Sequence, residues 1–363
     1  PSAGILGQPI IGMISDKVWF WGGRRKPFII IGGILAALMI FSLPNIDRIN
    51  SFFGIGSLLA VALTVALTLD LSINISFNPT RSIIADVTPE GQPRTKGYTW
   101  MQSISNLFGS GAYLMGALIG NYFLIYAGVG IVLLFSIGPL FFIKEPRELK
   151  KSLEEEKTGV KTATQWKELF KLYFAHGFSW LGIQTMFVYM FAFLEQKMSV
   201  MQNMDVADRN ARLGQMIGWS FFILNAVGSI WPAFLLEPLS KKIGRVRTQS
   251  AMVAIMALGY FGIVLWAKDA VTLYAMMCVL TFGWAAVVSL PFAIMSEKVD
   301  KSRMGFFMGI FNLSVVLPQL ISSSLIGTII KNASDKGLIF IISGISLAIS
   351  AFLWLFVKEK KST

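Results

Sequence analysis

The chain has 363 residues, of which 54% are hydrophobic and only 14% are charged, whereas a soluble domain carries about 25% charged residues. This composition excludes an ordinary soluble enzyme and indicates a protein embedded in lipid. Cys278 is the single cysteine, which excludes a disulfide framework and a thiolate metal site. The net charge of +12 would suit a nucleic-acid partner, but the distribution of the charges gives another explanation.

Apolar stretches long enough to cross a bilayer follow one another along the chain. About 20 residues in helical form are needed to cross roughly 30 Å of hydrocarbon. We predict ten such helices, near residues 27–43, 54–80, 97–119, 122–143, 172–194, 214–237, 248–267, 271–295, 304–330 and 337–357. An eleventh, at about 1–15, is cut at its outer end.

Lysine and arginine residues are concentrated in alternate loops. Twenty-five of them fall on one side of the predicted bilayer and seven on the other. The positive-inside rule makes the basic-rich side cytoplasmic. The sequence therefore predicts an integral protein of the inner or plasma membrane with a cytoplasmic C-terminus, and the asymmetry explains the net charge without any nucleic-acid partner.

One long polar segment divides the chain. It covers residues 145–168, and we predict a solvated cytoplasmic linker there with no catalytic role. The N-terminal half is then 1–144 and the C-terminal half 169–363. Because the chain begins near the outer face without an initiator methionine, we expect one further helix before it. The predicted fold is an all-α polytopic membrane protein of two six-helix halves, with the first helix absent from this chain.

A basic, glycine-containing loop recurs after the second helix of each half. The first copy contains Gly12, Asp16, Gly23, Arg24 and Arg25. The second contains Gly244 and Arg245, and Gly244 lies 221 positions after Gly23. Internal repeats of this kind are typical of secondary transporters.

The first of these loops resembles the signature loop between helices two and three of the major facilitator superfamily. In that family the aspartate and arginine form an inter-helix lock, which implies a conformational lock for Gly12, Asp16, Arg24 and Arg25. We expect Asp16 to pair with a neighbouring helix N-terminus and with the basic residues. A plain topology-setting loop is the alternative. The second copy has no acidic residue at the position of Asp16, which argues against a second lock.

Asp70 is the clearest polar residue inside a predicted span. An ionisable side chain there costs about 2.5–3.5 kcal/mol on insertion scales, so it is a functional candidate. Asp70, Asn74, Asn78 and Arg81 share one helical face, and Asp70 lies about 16 Å deeper than Arg81. We predict that Asp70 takes up a proton or binds substrate. A structural aspartate paired with a neighbouring helix is the alternative.

Weaker polar stripes occur on other predicted helices. Their members are Gln102, Asn106, Trp180, Gln184, Asn312 and Gln319. Such amides often only join helices, but several stripes are better explained by a hydrated central cavity. Aromatic rings beside amides suit a sugar, so we predict that these residues bind substrate together with Asp70, Asn74, Asn78 and Arg81.

The segment from Leu69 to Asp86 resembles one group within the superfamily, the plant sucrose–proton symporters. This segment is more similar still to their bacterial relatives, the glycoside symporters. The stretches 283–292 and 308–319 also resemble that bacterial group. The resemblance implies proton coupling for Asp70 and sucrose binding for Asp70 and Arg81. Plant members have an acidic pair in helix seven where this chain has Gln184-Thr185. The resemblance therefore does not imply which sugar this chain would carry.

The sequence therefore predicts a secondary active transporter rather than an enzyme. It would carry a disaccharide or related glycoside with a proton by alternating access, as a monomer and without a metal or other cofactor. An efflux or cation-linked carrier of another small solute, or a non-transporting sugar sensor, is the alternative. His176 is predicted to be an interfacial anchor at the start of its helix, with a pH-sensing role as the alternative. Glu297 is predicted to be a solvated charge near a helix end.

Overall fold

The computed structural model describes residues 2–147, 163–198 and 205–359, which are helical nearly throughout. The α-helices, in chain order, are α1 (Ser2–Lys17), α2 (Lys26–Ser42), α3 (Ile46–Phe53), α4 (Leu58–Val87), α5 (Gln92–Leu118), α6 (Asn121–Ile137), α7 (Trp166–Lys197), α8 (Val206–Gly228), α9 (Glu237–Ile243), α10 (Arg245–Trp266), α11 (Ala270–Val287), α12 (Leu290–Ser296), α13 (Met304–Phe311), α14 (Leu313–Ile321), α15 (Gly327–Asn332) and α16 (Leu338–Trp354).

The predicted all-α membrane fold is confirmed. Within the described ranges, eight helical stretches are long and apolar enough to cross a membrane. Seven of the ten predicted spans each correspond to a single helix, and the other three, at 214–237, 271–295 and 304–330, are each divided into consecutive helical segments. The span at 97–119 corresponds to α5, whose polar residues lower its hydropathy, and the span at 337–357 corresponds to α16, which has 17 residues.

Pro79 and Pro318, two of the prolines inside predicted spans, have different effects. Helix α4 runs unbroken for 30 residues through Pro79. The stretch after α13 is interrupted instead, because Pro318 lies in α14 and a π-helical turn follows at Ser322–Ile326. A proline removes one backbone donor, and such local distortions re-satisfy the groups that are freed.

The chain divides into two compact units. Each unit is built from three separate chain segments, whereas each predicted half is one continuous range. Unit 1 comprises Pro1–Glu90, Leu114–Thr164 and Val299–Leu313. In it, α1 packs against α4 and α13, while α2 packs against α4 and α6. Residues 148–162, most of the predicted linker, lie outside the described residues, so the predicted boundaries stay predictions.

Unit 2 comprises Gly91–Tyr113, Gln165–Lys298 and Ser314–Thr363. Its core is built where α7 packs on α16, α10 on both α11 and α16, and α8 on α11. Small residues allow these helices to approach closely, as is usual between membrane helices. At Gly283 an added Cβ would lie 2.3 Å from the Cβ of Met256, and at Gly182 it would lie 2.6 Å from the carbonyl oxygen of Ser343.

Candidate substrate and coupling sites

A chain of buried amides leads to Asp70 in unit 1. The side chain of Asn74, one turn along α4, donates to the Asp70 carbonyl oxygen at 2.7 Å and to its carboxylate at 3.2 Å. Gln8 of α1 donates in turn to Asn74 Oδ1 at 2.8 Å. Gln8 and Asn74 are buried, whereas Asp70 is partly exposed. The carboxylate is therefore held in place on one side and accessible on the other.

Asn78 joins three segments of unit 1. Its amide nitrogen donates to the carbonyl oxygens of Gln8 and Gly305 at 2.9 and 2.8 Å. Both amide hydrogens are thereby used in contacts between helices, and its Oδ1 is buried with no hydrogen-bond partner within the described ranges. The geometry suits inter-helix contact at least as well as the predicted substrate binding.

Arg81 lies at the far end of the polar stripe. Its guanidinium carbon is 3.8 Å from the centroid of the Phe77 ring, one turn earlier on α4. A cation over an aromatic face at this distance is attracted by the ring quadrupole. Arg81 is partly exposed. The structure thus places Asp70, Asn74 and Asn78 within one set of hydrogen bonds and gives Arg81 an aromatic partner.

Unit 2 contains a cavity of about 440 Å³, which falls within the usual 300–1,000 Å³ range of small-molecule sites. Polar and aromatic side chains dominate its wall, which is formed by Gln102, Ser105, Asn106, Gly109, Tyr113, Phe187, Phe221, Leu224, Asn225 and Trp284. None of these lining residues carries a charge. The wall therefore fits a neutral, polyhydroxylated molecule better than an ion.

Gln102 and Asn106 form part of this cavity, as predicted for one face of α5. Gln102 donates to Asn106 Oδ1 at 2.8 Å, and Asn106 donates to the Gly228 carbonyl oxygen at 3.0 Å. Trp180 is not among the lining residues, but its ring meets that of Trp284 edge-on with centroids 6.1 Å apart. Two of the predicted residues, Gln102 and Asn106, thus line a cavity, and their binding of substrate stays a prediction.

Gln102 and Asn106 are the members of the predicted binding set that line this cavity, and three others remain to be placed. Gln184 of α7 and Gln319 of α14 are partly buried and are not among its lining residues. Asn312 is buried at the break between α13 and α14, where its N–H bonds back to Gly309 at 3.2 Å. Asn312 belongs to unit 1, with Asp70, whereas Gln102 belongs to unit 2.

The signature loop forms a buried ion-pair network in unit 1. The guanidinium of Arg25 is completely buried and donates to Asp16 at 2.7 Å and to Asp86 at 2.9 Å. Arg24 adds a bond to Asp86 at 3.1 Å. Asp16 also accepts the N–H groups of Gly305 and Phe306 at 2.8 and 2.9 Å.

These last two bonds lie at the N-terminus of α13, where a carboxylate is favoured by the helix dipole and by unpaired N–H groups. Asp16 thus makes the contacts that the sequence predicts, with a basic residue and with a helix N-terminus. Its role as a conformational lock stays a prediction.

Gly12 permits the close approach of α1 to α13. A Cβ added there would lie 2.1 Å from the carbonyl oxygen of Gly305. We expect Gly12→Ala to lower the free energy of unfolding by about 1–3 kcal/mol, because overpacking forces the two backbones apart. Gly128→Ala is the matched control, since Gly128 lies in α6 with open space around it. Thermal unfolding in detergent compares the two, and equal stabilities would contradict the close contact.

At Glu145, the first residue of the predicted solvated linker, the structure corrects the prediction. Its carboxylate accepts the N–H groups of Arg24, Arg25 and Lys26, at 2.8, 2.9 and 2.8 Å. It therefore caps the start of α2. Gly23 makes room for it, because a Cβ there would lie 2.4 Å from Glu145 Oε1.

The second basic loop does have acidic partners, which come from other segments. Arg245 forms two bonds of 2.7 Å with Glu297 and a third, of 2.6 Å, with Glu359. Glu359 also accepts the N–H of Val246 at 3.2 Å, near the start of α10, as Glu145 does at the start of α2. The second loop has no acidic residue at the position of Asp16, as the sequence shows, and its carboxylate partners come from segments far away in sequence.

Glu297 is buried rather than solvated, which corrects a second prediction. It also accepts the N–H of Gly91 at 2.6 Å. Burial alone would raise the pKa of Glu297, but the hydrogen bonds and charge of Arg245 hold it below its usual value. This carboxylate is therefore ionised and links three segments of unit 2.

His176 is likewise not an interfacial anchor. It is fully buried, well inside α7 rather than at its start. Its Nε2 accepts the indole N–H of Trp180 at 2.9 Å. Sequence reasoning also missed Gln8, although it is a polar residue in an apolar stretch and could have been found by the criterion that identified Asp70.

The comparison with known sequences decides the family. The chain matches the Major Facilitator Superfamily over residues 2–323 and 216–363. It belongs to this superfamily. The major facilitator chain is thus a membrane transporter and not an enzyme, as predicted.

Individual relatives agree with this assignment. This major facilitator chain is 22% identical to the sucrose transport protein SUC4 of Arabidopsis thaliana over 383 residues, covering 89% of this chain and 74% of the plant protein. The resemblance to plant sucrose transporters is therefore also found by direct comparison.

Solved structures share the fold. A bacterial homologue of the iron transporter ferroportin, in its outward-facing state, matches with a TM-score of 0.68 at 13% identity, over 98% of this chain and 87% of its own. The proton:xylose symporter XylE bound to 6-bromo-6-deoxy-D-glucose matches with a TM-score of 0.62 at 15% identity, over 99% and 85%. One of these proteins is named for iron and the other for a sugar, so the fold does not specify the substrate.

Proposed function

We propose that this transporter carries a disaccharide or related glycoside of the sucrose or maltose type together with a proton, by alternating access. The observation that carries the proposal is the Asp70 carboxylate. It lies in the middle third of an apolar 30-residue helix, partly exposed and bonded to Asn74. An ionised side chain is energetically costly in that position, so an aspartate there is a functional candidate by default.

Protonation of Asp70 provides the coupling step. The ionised carboxylate disfavours a change of state that moves it into a less hydrated environment, because desolvation penalises charge. Uptake of one proton removes that penalty. Asn74 can donate to the carboxyl group in both forms, so the side chain keeps its position while its charge changes.

The substrate class is inferred from the cavity in unit 2. Its wall combines amides such as Gln102 and Asn225 with the rings of Phe187, Phe221 and Trp284, without a charge. Amides bond hydroxyl groups, and aromatic faces cover the apolar faces of sugar rings. The relative named as a sucrose transporter supports the same class.

The network around Arg25 supports the alternating-access part of the proposal. It joins the ends of α1 and α4 to the start of α13 through fully or nearly buried groups. Opening that side would require these bonds to break, so the network favours one of two states. We propose that its side is cytoplasmic, because it belongs to the basic-rich loops, that the transporter lies in the inner or plasma membrane, and that it works as a monomer.

Uptake by proteoliposomes tests this function. Radiolabelled sucrose, maltose, trehalose and glucose are compared under an inward proton gradient, an inward sodium gradient and no gradient. The proposal expects accumulation of a glycoside with the proton gradient only. Accumulation with the sodium gradient alone would contradict the proposal and indicate a cation-linked carrier. Expulsion of the sugar would indicate an efflux carrier, and binding without transport would indicate a sensor.

A further inference from the structure

A tight turn rich in aromatic residues precedes α2 in unit 1. The N–H of Phe20 donates to the Gly23 carbonyl oxygen at 3.1 Å, and the Gly23 N–H donates back to the Phe20 carbonyl oxygen at 3.2 Å. The two residues between them, Trp21 and Gly22, have φ angles of +47° and +73°. Positive φ at both central residues is the mark of a type I′ hairpin turn. Residues 19–23 are called the aromatic turn below.

Trp21 is an unusual residue for this backbone conformation. The left-handed region favours glycine, asparagine and aspartate, and a bulky side chain there is strained. Within the described ranges, Trp21 is the one residue other than glycine with a positive φ. Its ring is also 66% exposed, so the fold buries little of it in return. A strained residue with an exposed side chain points to a partner outside the fold.

The aromatic turn is fixed firmly to the start of α2. The ring of Phe20 packs edge-on against Phe28, with centroids 5.9 Å apart, and against Trp21 at 5.5 Å. The Glu145 carboxylate accepts the N–H groups of the three residues that follow the turn. Gly23 lies so close to Glu145 that a Cβ there would be 2.4 Å from its Oε1. The exposed rings are therefore held on a rigid base.

The ends of two helices place the aromatic turn at the boundary between membrane and water. Helix α1 ends at Lys17 and α2 begins at Lys26, and the stretch Lys26–Phe53 is apolar enough to cross a membrane. The fully exposed side chains of α2 are all apolar, namely Ile34, Leu38 and Phe41. A turn directly before such a helix lies at the level of the lipid headgroups, where tryptophan is enriched.

Basic residues flank the exposed rings. The stretch from Lys17 to Lys26 contains four basic residues and no acidic one. Its arginines are buried in the ion-pair network, whereas Lys17 is exposed and Lys26 partly exposed. Lysines next to a membrane surface attract anionic phospholipids, and an indole ring suits the same zone because it is apolar with one polar N–H. Rings and charges together fit a lipid surface.

We propose that Trp19, Phe20 and Trp21 insert among the lipid headgroups on the basic-rich face of the membrane, where Lys17 and Lys26 bind the phosphate of an anionic phospholipid. The aromatic turn then anchors the signature loop to the bilayer. The strain at Trp21 is offset by the transfer of its ring out of water. This anchor depends neither on the substrate nor on proton coupling, so its test is separate from theirs.

Quenching by brominated lipids tests the insertion. Wild type and Trp21→Phe are reconstituted in phosphatidylcholine that is brominated either near the headgroup or near the chain ends, and their difference isolates Trp21 among the ten tryptophans. The Trp21 fluorescence should be quenched strongly by bromine near the headgroup and weakly by bromine near the chain ends. Trp354→Phe removes a fully buried tryptophan, and its difference signal should respond weakly to both lipids.

Iodide in the aqueous phase distinguishes the outcomes that overturn the insertion. If iodide quenches Trp21 and the brominated lipids do not, the aromatic turn lies in water. If neither quenches it, the ring is covered by protein. Trp21→Gly is a second replacement, which removes the ring and suits the turn, and it should give the same difference signal as Trp21→Phe. Melting temperatures show that each variant is folded.

The preference for anionic lipid is measured with a minority of the lipid brominated. Brominated phosphatidylglycerol should quench Trp21 more than the same amount of brominated phosphatidylcholine, with a local enrichment of about fivefold per lysine. Lys17→Gln combined with Lys26→Gln should abolish the difference, whereas Lys268→Gln, which alters an exposed lysine between α10 and α11, should retain it. Equal quenching by the two lipids in wild type, or an unchanged preference in the double variant, would overturn the phosphate contact.

Discussion

Asp70→Asn is expected to abolish accumulation of sugar against its gradient while leaving exchange across the membrane. Asparagine has the size of aspartic acid but cannot change its charge, so the step that links proton uptake to the change of state is lost. With the membrane potential clamped, a gradient of about one pH unit can drive about tenfold accumulation by one-proton symport. The variant should instead stop at equal concentrations inside and outside.

The control for this experiment is Asp47→Asn. Asp47 lies on the short helix α3 and is exposed, so its neutralisation should leave accumulation at the wild-type level. Exchange of labelled for unlabelled sugar shows that the Asp70 variant is still folded and can bind. Full proton-driven accumulation by Asp70→Asn would remove Asp70 from the coupling mechanism.

Arg25→Met is expected to cause the largest loss of stability. The substitution leaves the Asp16 and Asp86 carboxylates, whose side chains are only 5% and 2% exposed, without their common cation. Breaking a buried ion pair by removal of one partner costs about 3–5 kcal/mol. We expect a loss of that size in the free energy of unfolding, measured by denaturation in detergent, together with loss of uptake.

A second variant shows whether the unpaired anions cause that loss. Arg25→Met combined with Asp16→Asn and Asp86→Asn should be more stable than Arg25→Met alone, because neutral amides are less costly to bury than carboxylates. Arg48→Met removes an exposed arginine and should have little effect, as is usual for surface charges. If Arg25→Met and Arg48→Met were equally stable, the network would make no contribution to the fold.

Local patterns in the sequence were sufficient for the helices and for the first functional candidate. Apolar length alone located the spans, because a membrane helix satisfies its own backbone. Asp70 and Asn74 share a face by helical periodicity, and their hydrogen bond follows from a separation of four residues. The α5 face of Gln102 and Asn106 was predictable for the same reason.

Contacts between distant segments could not be read in this way. The sequence predicts a solvated charge at Glu297, yet this residue pairs with Arg245, 52 positions away. The sequence predicts that Asp16 pairs with a helix N-terminus but not with which one, and the structure shows that it is α13, whose Gly305 lies 289 positions further along the chain. His176 was misplaced because a lone histidine near an apolar run gives no sign of which helix covers it. Such pairings depend on tertiary packing, which periodicity does not encode.

Sugar-driven proton movement tests the central proposal most directly. Proteoliposomes are suspended in weakly buffered medium without any ion gradient, the membrane potential is clamped, and sucrose or maltose is added outside while a pH-sensitive dye reports the medium. Proton symport predicts that the medium becomes more alkaline as sugar enters, with about one proton per sugar if Asp70 is the single coupling group, and that Asp70→Asn abolishes the signal. Entry of sugar without any change in pH, or acidification of the medium, would contradict it.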